Sequence, residues 1–156
     1  MKAKLFPVLL LLIGLFGCNE ESPEAKVRGG YESVFRGSGS WGVGLYDFVQ
    51  TIHLRADGGF YSEGVTRDAE SGDLLGYTGY ARGTYTLSEG VVSLYYDEYY
   101  LMGIADIDFM PKEELTSYEM EEYFQQYAVS DNYKQLESIC PFNADCGPPQ
   151  VYTRID

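Results

Sequence analysis

Glycine-punctuated alternation over residues 27–100 is the feature that limits what this 156-residue chain can become. Tyr, Thr, Val and Phe alternate there with polar residues, the period-2 pattern of strands with one face buried. Tyr46, Phe48, Ile52 and Leu54 fall on one face of such a strand, and Asp47, Thr51, His53 and Arg55 on the other. Asp57-Gly58-Gly59 turns the chain into residues 60–67, and the polar stretch 68–73 turns it again. Ser88-Glu89-Gly90 marks a third hairpin, leading into Val91-Val92-Ser93-Leu94-Tyr95-Tyr96. Residues 74–87 are long for one strand and carry Gly76, Gly79 and Gly83, which predicts a bulge or sharp bend. The expected fold is mainly β, a small antiparallel barrel or meander built from successive hairpins.

The pattern changes after Asp97. Residues 104–109 read as one more strand, broken by Pro111. Thr116 followed by Glu119 matches a capping box, and Met120, Tyr123, Phe124 and Tyr127 repeat at i, i+3, i+4 and i+7. One short helix is therefore expected over about residues 117–128, packing its Met and aromatic stripe on the mouth or side of the sheet. Residues 129–149 read as loop.

The N-terminus has a different grammar. Lys2 and Lys4 precede an apolar run over residues 5–16, which is too short to span a bilayer, and Gly17-Cys18 follows. This resembles a bacterial lipoprotein signal. The resemblance implies cleavage before Cys18 and lipid modification of that cysteine, so residues 1–17 form the signal, 18–28 an acidic tether and 29–156 the domain. It also implies a bacterial cell-envelope location with a membrane anchor of acyl chains. Asn19, not an aspartate, follows the lipidated cysteine, which favours the outer membrane. With Cys18 acylated, Cys140 and Cys146 remain as an even pair in an oxidising compartment and are expected to form a disulfide.

The domain carries a second resemblance. Gly30-Tyr31, the stretch from Leu54 to Phe60, Gly83-Thr84-Tyr85-Thr86-Leu87, Gly90-Val91-Val92-Ser93-Leu94 and the terminal Val151-Tyr152-Thr153-Arg154-Ile155 look like the strand and turn phrases of lipocalin-like domains in bacterial lipoproteins. That family implies a closed antiparallel barrel with an interior ligand site and no catalysis. It has no fixed ligand motif, so no binding residue transfers.

Charge and motif content exclude several classes. A net charge of −13 repels phosphate backbones, so nucleic acid is not an expected partner. Gly37-Ser38-Gly39-Ser40-Trp41-Gly42 has the glycine spacing of a dinucleotide loop, but a further glycine, Gly44, and a β-like segment follow where such chemistry needs a helix and a βαβ unit. No calcium-loop pattern is present, and no metal or cofactor is expected. The lone histidine, His53, has no triad context, and no Gly-x-Ser-x-Gly elbow occurs. No catalytic residue is assigned and an enzyme is not expected, an uncharacterised hydrolase being the third alternative.

The fifteen tyrosines, with Trp41, supply the candidate contact residues: Trp41, Tyr95, Tyr99 and Tyr100. Strict alternation places Tyr95 and Tyr99 on one face and Tyr96 on the other. Two functions follow. A module for a small apolar or amphipathic ligand calls for an apolar cavity of about 300 Å³ or more. A module for an envelope protein calls for a filled core and an exposed tyrosine patch. The anchor is testable by itself: Cys18→Ala should abolish acylation in a palmitate-labelling assay and release a folded, soluble domain, whereas a variant that stays membrane-bound places the anchor elsewhere.

Overall fold

The computed structural model describes residues 21–119, 124–142 and 144–156. Cys18 and the signal segment lie outside the described residues, as do residues 120–123 of the expected helix. Among the described residues the order is α1 (Pro23–Val27), β1 (Gly29–Ser38), β2 (Leu45–Leu54), β3 (Gly59–Asp68), β4 (Leu74–Ser88), β5 (Val91–Leu101), β6 (Thr116–Ser117), β7 (Phe124–Ser130), β8 (Gln135–Ser138) and β9 (Val151–Arg154). Every pairing is antiparallel, and each strand except β6 pairs with its neighbours round a ring β1-β2-β3-β4-β5-β7-β8-β9 that returns to β1. The two-residue β6 sits outside this ring on the end of β5. The eight-stranded closed barrel is the fold class that the alternation and hairpin signals predict.

The hairpins form where the turn residues stand. At the β4–β5 turn Glu89 and Gly90 both adopt positive φ, 51° and 77°, the type I′ geometry whose twist matches flanking strands. At the β3–β4 turn the Asp68 carboxylate accepts from the Glu70 and Ser71 amides at 3.0 and 2.8 Å. In β4 the register shifts twice against β3 and once against β5, so the predicted irregularity is present. The shift against β5 falls beside Gly83, where an added Cβ would lie 1.9 Å from the Tyr95 carbonyl oxygen.

The core fills one end of the barrel. Tyr31, Ile52, Leu54, Phe60, Val92, Leu94, Tyr127, Leu136 and Tyr152 pack together there from seven strands. Val27 plugs this end and is fully buried. Its helical turn, α1, starts on Ser22, whose side chain accepts from the Ala25 amide, and carries Pro23 in the first turn. The segment expected as a tether thus contributes to the core. Arg154 locks it: Nη1 donates to the Lys26 carbonyl at 2.6 Å and Nη2 to the Arg28 carbonyl at 2.5 Å.

Four expectations are corrected. Residues 129–149, read as loop, hold the end of β7 and all of β8, which the ring needs between β7 and β9. Residues 124–128, read as helix, lie in β7 and pair with Val91–Tyr95 of β5. Barrel closure needs a strand between β5 and β8, and the same residues also satisfy a period of two, with Gln125 and Tyr127 on the inner side and Phe124 and Gln126 outside. Residues 104–109 form no strand; the segment makes one bridge nearby, Tyr77 with Met110. Finally, Tyr99 does not share a face with Tyr95. The shift between Arg82 and Gly83 places an extra residue in β5, so Tyr96 and Tyr99 both point inward, their rings 5.6 Å apart and edge to face.

Two glycine substitutions separate the two reasons for glycine. Gly83→Ala should cost about 1–3 kcal/mol by steric overlap, whereas Gly90→Val, in open space, should cost about 1–2 kcal/mol through its φ alone. Urea midpoints measure both, and an unchanged midpoint for Gly83→Ala would contradict the tight β4–β5 approach.

Candidate functional site

Above the apolar core the barrel interior becomes polar. Inward positions on β3 and β4 at this level are small, Ser62 with Ala81 and Gly64 with Gly79. The opposite walls send in Gln50 from β2, Tyr96 and Tyr99 from β5, Gln125 and Tyr127 from β7 and Tyr152 from β9. Small residues facing long ones leave a chamber of about 130 Å³. That is close to the roughly 150 Å³ of an engineered cavity that takes up one benzene.

The polar lining of the chamber is mostly amide and hydroxyl, with Glu63 as its one ionic residue. Tyr152 donates to Gln50 Oε1 at 2.8 Å, and Gln150 Nε2 donates to the same oxygen at 3.1 Å. Tyr96 donates to Gln125 Oε1 at 3.0 Å. The ionic groups beside the chamber are engaged elsewhere, with the Glu63 carboxylate held by Lys112, whose ammonium also lies 4.3 Å from the centre of the Tyr80 ring. Burial pushes the Tyr152 hydroxyl up to about 12, hydrogen bonding to Tyr127 acting in the opposite direction. The polar groups the chamber offers are mostly neutral donors and acceptors.

The far end of the barrel is spanned by the segment that follows β5. Asp108 accepts from the Ser40 amide at 2.8 and 2.9 Å and from the Ser40 hydroxyl at 2.8 Å, which ties this segment to the β1–β2 loop. The Asp108 carbonyl accepts from the fully buried Thr66 hydroxyl at 2.8 Å. Phe109 meets Tyr46 edge to face, and Tyr46, Phe48 and Phe35 continue an aromatic column along the inner wall.

The candidate contact residues do not converge. Trp41 is 84% exposed on the β1–β2 loop and holds a positive φ of 64°. Tyr95 lies on the outer wall beside Phe124, and Tyr100 lies there beside Tyr80. Tyr99 alone lines the chamber. His53 stacks on Tyr61 at 4.4 Å on the outer wall. Cys140 and Cys146 form a disulfide, clipping the β8–β9 loop next to the groove between that loop and β7. Sequence reasoning missed Gln50, Gln125 and Tyr152. A signal was present for one of them: Gln50 stands between Phe48 and Ile52 on the apolar face of β2, where a polar residue needs a partner.

No family model, curated protein or solved structure matches this chain.

Because the folded Tyr152 value lies above the usual tyrosine range near 10, the unfolded chain loses its proton first. Stability is then whole below about pH 10 and falls by about 2–3 kcal/mol as the pH rises through about 12. Tyr152→Phe should reduce this alkaline loss relative to the parent in urea melts at about pH 8 and about pH 11, and an alkaline loss of unchanged size would contradict the buried position of the hydroxyl.

Proposed function

We propose that this chain is a lipid-anchored envelope protein whose barrel binds a small amphipathic molecule, with an uncharged hydrogen-bonding group held in the chamber. The observation that carries this reading is the lining itself: Gln50, Gln125, Tyr96 and Tyr152 gathered above a filled apolar core. The one ionic residue of the lining, Glu63, is already held by Lys112, so neutral hydrogen-bonding groups are favoured. The chamber is smaller and more polar than the cavity that a wholly apolar ligand calls for. Cys18 precedes α1 by only a few positions in the sequence, which supports an arrangement in which the core-filled end of the barrel faces the anchoring membrane and the chamber faces away. The reading is of a binding protein, because the chamber gathers amide and phenol groups suited to holding a hydrogen-bonding ligand.

Native mass spectrometry of the full chain, purified gently from its own membrane, tests it. One small molecule per chain is expected, and it should be lost from Gln50→Leu, which keeps the volume and removes the shared acceptor. A parent protein that carries no small molecule, or a Gln50→Leu variant that retains it fully, would overturn the proposal.

A further inference from the structure

The barrel is closed along only part of its seam. Strand β1 runs to Ser38, yet its pairing with β9 comprises only Tyr31 with Arg154 and Glu32 with Thr153. The Ile155 amide donates to the Gly30 carbonyl, which fixes the ladder phase: Gly30 and Glu32 direct their backbone groups at β9, and so Val34 and Arg36 direct theirs at the seam. Among the described residues no backbone pairing continues the ladder beyond Glu32 on this side. The cause is local sequence. Continued in the same register, Val34 would face Val151 and Arg36 would face Pro149, and Pro148 and Pro149 have no amide hydrogen to give.

Val34 is 53% exposed on the outer side of this edge and Phe35 is 69% exposed on the inner side. Exposed strand edges are commonly blunted by lysine, proline or a bulge. Residues 33–38 hold no lysine or proline, and β1 pairs with β2 without a register shift along its length. The one charged residue, Arg36, is engaged on the outer surface by both Asp47 oxygens at 2.6 and 2.8 Å.

We propose that the free edge of β1 over residues 33–38 receives an extended segment of a partner polypeptide, added as a further strand of the barrel. Two properties of the edge define the occupant. Backbone groups at alternate positions require an extended chain with free amides, and the exposed apolar groups on either side of the edge favour apolar residues at alternate positions. The net charge of −13 favours a cationic segment and disfavours a second copy of this chain.

The probe is a synthetic peptide of three Val-Thr repeats flanked by lysine pairs, titrated into the full chain by isothermal calorimetry, with amide exchange followed at Val34 and Arg36. Saturable binding with slowed exchange at both amides is expected. Val34→Pro, which removes a seam-facing donor and no β1–β2 bond, should weaken binding about tenfold with an unchanged thermal midpoint. A peptide methylated on alternate backbone nitrogens should not bind the parent protein, which keeps the test intact even where the proline variant fails to fold. Equal binding of the methylated peptide, no binding of the parent peptide, or protection of Val34 and Arg36 by self-association of the chain alone would each overturn the proposal.

Discussion

Two residue pairs between β1 and β9 turn a meander of hairpins into a barrel. A meander can form from local turns alone, but its first and last strands would then expose two full edges. The closing contact is short because β9 has only four residues, and it is reinforced from outside the ladder. Arg154 holds the carbonyls of Lys26 and Arg28, and the Asp156 carboxylate accepts from the Gly30 amide at 2.9 Å. The two ends of the described chain are thereby fastened to each other at the core-filled end. Tyr31 pairs with Arg154 across that closure, and Tyr31 and Tyr152 are both almost fully buried.

What lies inside follows from where closure is complete. At the level of the β1–β9 contact, the full ring of strands excludes water, and Tyr31, Phe60, Leu94 and Leu136 fill the space. Further along, where β9 pairs no more with β1, Phe35 is exposed in spite of its inward position, and the polar lining is mostly glutamine, serine and tyrosine. Polar side chains are tolerated there because they find one another: Gln50 receives both Tyr152 and Gln150, and Gln125 receives Tyr96. The proposed ligand chamber and the proposed strand-docking edge are two consequences of one shortened seam.

Much of the architecture is legible without the structure. Turn residues mark the β2–β3, β3–β4 and β4–β5 hairpins, and glycines in β4 mark its irregular register, because turns and bulges are paid for by local backbone geometry. The segment containing Phe124 and Tyr127 is misread because four aromatic and methionine positions fit a helical stripe as well as they fit a strand, and only the vacancy between β5 and β8 decides between them. Tyr99 is misplaced for a related reason: one extra residue in β5, invisible to strict alternation, reverses the face of everything beyond it.

By itself the sequence determines the strand-forming alternation, the hairpin turns, the strong acidity and a cysteine pair close enough in the chain to be joined. Each is set by interactions among near neighbours or by composition. Tertiary structure decides which strands meet at the seam, that the seam stays partly open, and that Gln50, Gln125, Tyr96 and Tyr152 share one chamber. Gln50 and Tyr152 are brought together from 102 positions apart. No local preference encodes that encounter; it exists because a closed ring of paired backbones directs alternate residues of distant strands into a common interior.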